Sequence, residues 1–393
     1  KDRLMENPFC DKTPETLKAE DIATLFIDVF SDFPRLLDTE HTFLHGARGT
    51  GKSMMLRYLE PQVQLAAHKV SKANELPHYA IHIPIKKANF SLSELERLEG
   101  APYWLLSEHI LSVNAVIHII DSLASLSIID SPTEDNSTED WNKFYTAVIR
   151  LTESTGYTQD SNKESTDRLL AELRSICEQE HRAALQYLRK LTFGKEFVPY
   201  EGALFGYVDF LLPFIQLVTE LNITPSGPVF LMLDDADNLP ERMQMVVNSW
   251  VSYRTTNQVC LKVSTQQRYK TWRTIQGTII ESPHDYSEID INTVYTSKNF
   301  SHYYERVEKV VERRLSVSGF SNTSPTDFFP SNPNQEQELD SIKSEIKRQW
   351  DEGNGVSSRK SDDVTRYSVS EYMKKLTKTK KTNTYSYSGF RSM

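Results

Sequence analysis

Apolar positions along this chain change period several times, and each change marks an element. Between Ala19 and Phe33, the residues Ile22, Leu25, Phe26, Val29 and Phe30 recur at spacings of three and four, a helical stripe. His41 to Leu44 reads as a short strand running straight into a glycine-rich loop. Lys52 to His68 then returns to helical spacing, with Met55, Leu56, Leu59 and Val63 on one side. Tyr79 to Ile85 alternates apolar and polar residues like a strand. Helix, strand, loop, helix, strand predicts an α/β architecture built on a parallel sheet.

Residues 91–224 break that alternation. Pro102 to Leu126 is apolar around most of a helical circumference, and helical patterns follow at Trp141 to Thr152, Ser165 to Leu191 and Gly206 to Leu221. The sheet pattern resumes with the continuous apolar run Val229 to Leu233 and further candidate strands at Val259 to Ser264 and Tyr286 to Ile291. Phe300 to Leu315 is an amphipathic helix, and residues 316–337 are rich in Ser, Asn, Pro and Thr, as linkers are. The expected organisation is the first half of a nucleotide-binding core over 1–90, a large helical insertion over 91–224, and the second half with the start of a C-terminal helical lid over 225–315. A linker and basic tail fill 316–393.

Composition narrows the classes. The 393 residues carry a formal net charge of −9, which argues against coating nucleic acid over the whole surface. Charge is uneven, however. Arg366, Lys374, Lys375, Lys378, Lys380, Lys381 and Arg391 face one acid, Glu371, with Tyr367, Tyr372, Tyr385, Tyr387 and Phe390 interleaved. That tail reads either as a solvated extension or as a contact for a protein or nucleic-acid partner, with protein favoured. Cys10, Cys177 and Cys260 are scattered, with no C-x-x-C pair, which predicts neither a zinc site nor a disulfide framework. No signal-peptide pattern opens the sequence, and the longest apolar stretch, read as Phe205 to Val218, holds Asp209 and Pro213 and is too short to span a bilayer. A soluble cytoplasmic protein with no membrane partner is expected.

Two motifs carry the chemistry. Gly46-Ala47-Arg48-Gly49-Thr50-Gly51-Lys52-Ser53 fits G-x-x-x-x-G-K-[ST] at every fixed position. Glycines let successive backbone N–H groups turn toward phosphates, Lys52 puts a cation on the β/γ oxygens, and the Ser53 hydroxyl ligates Mg2+. Met54 follows in the helix whose N-terminus faces the anion. The second motif, Val229-Phe-Leu-Met-Leu-Asp234-Asp235-Ala-Asp237, ends a core strand in acids at the edge where α/β sheets bind ligands. Asp234 is expected to hold Mg2+ through water, and Asp235 to position or deprotonate the attacking water. Alone, this motif reads equally well as an acidic turn. A third feature is Val259 to Arg268, a strand ending in polar residues, where Thr265 is a candidate γ-phosphate sensor and Arg268 or Arg254 a candidate sensor or finger. No N-K-x-D motif is present, which favours ATP over GTP. His41 and His45 flank the first strand and read as packing residues rather than metal ligands.

With these motifs in this order, the chain resembles AAA+ ATPases, and more narrowly the origin-recognition-complex type. The resembling segments are N-P-F at Asn7, Pro8 and Phe9, the run from His41 to Leu59, F-L-M-L-D-D-A-D, L-K-V-S-T-Q, and H-D-Y-S-E-I-D-I at His284 to Ile291. The last is similar to bacterial members. The resemblance spans residues 7–90 and 225–315. It implies an ATP-driven switch in a multi-protein assembly, with self-association or a separate effector as partner. Bacterial members of this type are often found in phage-defence systems. It also implies that adenine lies against Asn7, Pro8 and Phe9, a segment that reads equally as a plain turn.

Two features depart from that pattern. Asp235 stands where many AAA+ enzymes have glutamate, one methylene shorter, which predicts slow hydrolysis. No lid completion, sensor-2 arginine or winged helix is recognisable toward Met393. Two alternatives therefore stay open: a DNA-binding initiator or loader, and a scaffold that holds ATP without turning it over.

Overall fold

The computed structural model describes residues 13–28, 30, 32–68, 70–86, 90, 93–129, 137–157, 169–193, 198–253, 258–266, 269–292, 300–319, 337 and 344. Residues 9–306 cluster as one compact unit; residues 1–8 and 307–393 are assigned to another. Within the first unit lies a five-stranded sheet of β1 (Thr42–His45), β2 (Tyr79–Pro84), β3 (Val229–Asp234), β4 (Val259–Thr265) and β5 (Ser287–Asp290). Spatial order is β2-β3-β4-β1-β5, and every pairing is parallel.

Both faces of the sheet are covered, which is why β3 reads as an apolar run up to Asp234 and why β3 and β4 are buried at every position. Alternate residues serve different layers. Leu231, Leu233, Leu261 and Val263 belong to the large core that includes the long helices between β2 and β3. Phe230, Met232 and Cys260 face the other way, against Met55, Leu56 and Leu59.

The described residues between β2 and β3 are mainly helical, as expected. It holds α4 (Ala101–Ile129), α5 (Ser137–Ser154), α6 (Leu169–Phe193) and α7 (Leu212–Thr219), the last entered through a π turn at Tyr207–Leu211. These helices share one continuous core with the sheet, through residues such as Leu106, Ile110, Val113, Phe144, Leu173 and Phe214. By length and composition α4 passes as a membrane span, with a mean hydropathy of 1.6 over Ala101–Ser127. This corrects the reading of 205–218 as the longest apolar stretch. The apolar residues of α4 are core residues here: Tyr103, Leu106, Ile110, Val116, Ile120 and Leu123 are all buried.

Two helix boundaries differ from expectation. Lys52 to His68 is not one helix but α2 (Lys52–Tyr58) and α3 (Pro61–His68), because Pro61 lacks the N–H that would continue the ladder. The stripe from Ala19 to Phe33 yields only α1 (Ala19–Leu25). Phe26 turns extended, Asp28 accepts a bond from the Phe30 N–H at 3.2 Å, and a 3-10 turn at Phe33–Leu37 follows. Such an aspartate bond competes with a helical one. Helix α8 (Glu241–Ser252) joins β3 to β4, and after β4 come the edge strand β5 and α9 (Phe300–Val317), an amphipathic helix as the pattern predicts.

Candidate nucleotide site

The strand order places the ends of β1 and β3 on either side of β4, so the glycine loop and the acidic pair meet across one strand. The loop leaves β1 and enters α2. Gly51 caps that helix with φ 91°, a left-handed conformation that favours glycine. Gly46 sits where an added Cβ would come within 2.6 Å of Thr50 Oγ1. The turn is held internally by Thr50 Oγ1 donating to the Ala47 carbonyl at 2.8 Å. It is anchored by the Gly46 N–H on the Thr265 carbonyl at 3.1 Å and the Ala47 N–H on Asn292 Oδ1 at 3.0 Å.

Lys52 is 5% exposed, and its ammonium donates to the Gly46 carbonyl at 2.9 Å and the Ala47 carbonyl at 3.2 Å. Burial lowers its pKa below the usual lysine value, while Asp235, Asp234 and Asp237 pull the other way. Ala47, Arg48 and Gly49 are exposed, whereas Ser53 and Met54 are half-buried.

Asp234, at the end of β3, is 3% exposed and fully engaged. Its Oδ1 accepts from the Ser264 hydroxyl, its Oδ2 lies 3.0 Å from His82 Nε2, and the Ser53 hydroxyl is near enough to favour the ionised carboxyl. Burial opposes ionisation of this carboxyl, but the His82 and Ser264 contacts, with the nearby Ser53 hydroxyl, outweigh it and hold the pKa below the usual carboxylate value. Asp235 turns away in a left-handed conformation, φ 58°, the one positive φ on a non-glycine among the described residues. Its N–H donates to Ser264 Oγ at 2.8 Å, and Gln266 Nε2 reaches its Oδ1 at 3.4 Å. Burial and the neighbouring Asp234 charge raise its pKa.

Thr265 is fully buried, and its hydroxyl lies 2.7 Å from His45 Nδ1. It is therefore tied to the neighbouring strand, while Ser264 and Gln266 reach the acids. His45 also stacks on Phe43, and His41 Nδ1 accepts from the Leu261 N–H, both packing roles. Asn7, Pro8, Phe9, Arg254 and Arg268 lie outside the described residues. Sequence reasoning missed His82, Ser264, Gln266 and Asn292, whose relevance depends on which strands lie side by side.

The arrangement fits a nucleotide with Mg2+. The Ser53 hydroxyl and the Asp234 carboxylate are neighbouring oxygen donors of the kind Mg2+ uses alongside water and phosphate oxygens. A family model described as ORC-CDC6-like matches residues 7–354. The chain belongs to the ORC-CDC6-like family. Neither the curated proteins nor the solved structures contain a match to it. For this ORC-CDC6-like chain, membership brings the nucleotide-binding function of AAA+ ATPases, and the all-parallel five-stranded sheet agrees with an AAA+-like P-loop core.

Proposed function

We propose that this chain binds ATP with Mg2+ at Gly46–Ser53 and hydrolyses it slowly, as a nucleotide-dependent switch within a multi-protein assembly. One observation carries the reading: Ser53, from the glycine loop, and Asp234, from β3, are brought close to one another beside the buried Lys52 side chain, although they are far apart in sequence. Lys52 has carbonyl partners that it can exchange for phosphate oxygens. Mg2+, when bound, neutralises the developing charge on the phosphates. Ser53 and Asp234 are the residues that would hold it. Asp235 would orient and deprotonate the water that attacks the γ-phosphorus as the bond to ADP breaks. Arg268 remains a candidate sensor, as does Thr265 if its hydroxyl exchanges His45 for a phosphate oxygen, and Asn7 to Phe9 the candidate adenine contact.

The pathway is part of the same proposal. Its support is the likeness of His284 to Ile291 to bacterial members, which favours a cytoplasmic anti-phage assembly with a second copy or a separate effector. In this reading 91–224 is an addition to the ATPase core, and the basic tail contacts protein rather than DNA. A non-hydrolysing scaffold is the second reading. It is favoured by Asp235, whose carboxyl is raised in pKa and already partnered by Gln266. Phosphate release from ATP by the purified chain separates the two. Slow Mg2+-dependent release supports the switch; ATP bound without any release supports the scaffold.

A further inference from the structure

His82 sits on β2, two register positions from the strand end that pairs with Asp234: Pro84 is opposite Asp234 and His82 opposite Met232. That diagonal brings Nε2 within 3.0 Å of Asp234 Oδ2. An ionised carboxylate only accepts hydrogen bonds, so Nε2 carries a proton. The other ring nitrogen, Nδ1, faces Glu60 Oε1 at 3.7 Å. Glu60 is itself fixed by Arg57 Nε at 3.0 Å, and Arg57 also donates to the carbonyls of Pro14 and Leu17. The His82, Glu60 and Asp234 side chains are at most 15% exposed, so solvent screens these contacts weakly.

We propose that His82 is a positioning residue for Asp234, orienting its carboxylate for the Mg2+ of a bound nucleotide, with Glu60 and Arg57 fixing the ring. The proposal rests on the nucleotide-site reading above. It differs from the usual contribution of the glycine loop and acidic strand in coming from the sheet's β2 edge. Residues behind a metal ligand of this kind typically contribute 10–100-fold to metal affinity.

The test is isothermal titration of ATP into the full chain, in Mg2+ and again in EDTA, for the wild type, His82→Ala and His82→Gln. Gln keeps an N–H donor on a side chain of similar reach, so it distinguishes lost positioning from lost packing. His82→Ala is expected to reduce the Mg2+-dependent gain in ATP affinity by about tenfold and to leave the affinity in EDTA unchanged. His82→Gln is expected to recover most of the gain. An undiminished gain in His82→Ala overturns the proposal, as does an equal loss in Mg2+ and in EDTA. A wild-type chain whose ATP affinity ignores Mg2+ removes the site reading itself, and the proposal with it.

Discussion

Replacing Asp235 with Asn isolates the second carboxylate of the acidic pair. Its backbone is left-handed, φ 58° and ψ 45°, a conformation that Asn tolerates as well as Asp does. The turn is held by the Asp235 N–H on Ser264 Oγ at 2.8 Å, which the substitution leaves in place. Burial and the Asp234 charge raise the Asp235 pKa, so at neutral pH the ionised form lowers the stability of the fold. A neutral amide removes that cost, and the thermal midpoint should stay level or rise. Turnover should fall. A positioned general base contributes about 10²–10⁴-fold, and the low end suits a short side chain that Gln266 already contacts at 3.4 Å. A hundredfold loss corresponds to about 2.7 kcal/mol of transition-state stabilisation. Phosphate release measures the rate, and isothermal titration measures ATP affinity alongside it. Release at the parent rate refutes the role of Asp235. A matching fall in ATP affinity would make it a binding residue instead.

Other consequences are simpler. Ser53→Ala removes a hydroxyl beside Asp234 and the proposed Mg2+ ligand, so ATP titration should lose about tenfold in Mg2+ and little in EDTA. His109 on α4 is fully buried, accepts the Phe205 N–H on Nδ1 at 3.0 Å, and has its pKa lowered from 6.5 to about 4, chiefly by burial. The unfolded chain therefore binds the extra proton between those values, and stability falls as pH drops through that window, by about 2 kcal/mol between pH 7 and 5. Urea unfolding at the two pH values should show that difference shrink in His109→Gln; an unchanged difference would refute it.

The sheet was legible in the sequence because its strands are buried on both faces. Val229 to Leu233 is apolar throughout, Val259 to Ser264 is apolar apart from Lys262 and Ser264, and each boundary lies within one residue of the observed strand. The glycine loop was legible because its residue types answer one backbone shape. Helix ends were less so. Met55, Leu56, Leu59 and Val63 keep a helical spacing across the break at Pro61, since periodicity survives a change of axis. The partners of the acids were illegible for a different reason. In an alternating strand His82 reads as a solvent-facing polar position, and only the parallel pairing of β2 with β3 turns it onto Asp234. Thr265 was preferred as the polar end of β4, yet the pleat directs Ser264 to the acids and Thr265 to His45.

The central claim is that Gly46–Ser53 cradles the phosphates of ATP, with Lys52 as its cation. Isothermal titration of Mg2+-ATP into the wild type and Lys52→Ala tests it most directly. A charge-assisted hydrogen bond contributes about 1.5–3 kcal/mol, and Lys52 must first release its bonds to Gly46 and Ala47. A net loss of about 2 kcal/mol, or roughly thirtyfold weaker binding, is therefore expected in a variant that remains folded by thermal unfolding. ATP bound equally well by the folded Lys52→Ala variant would contradict the account.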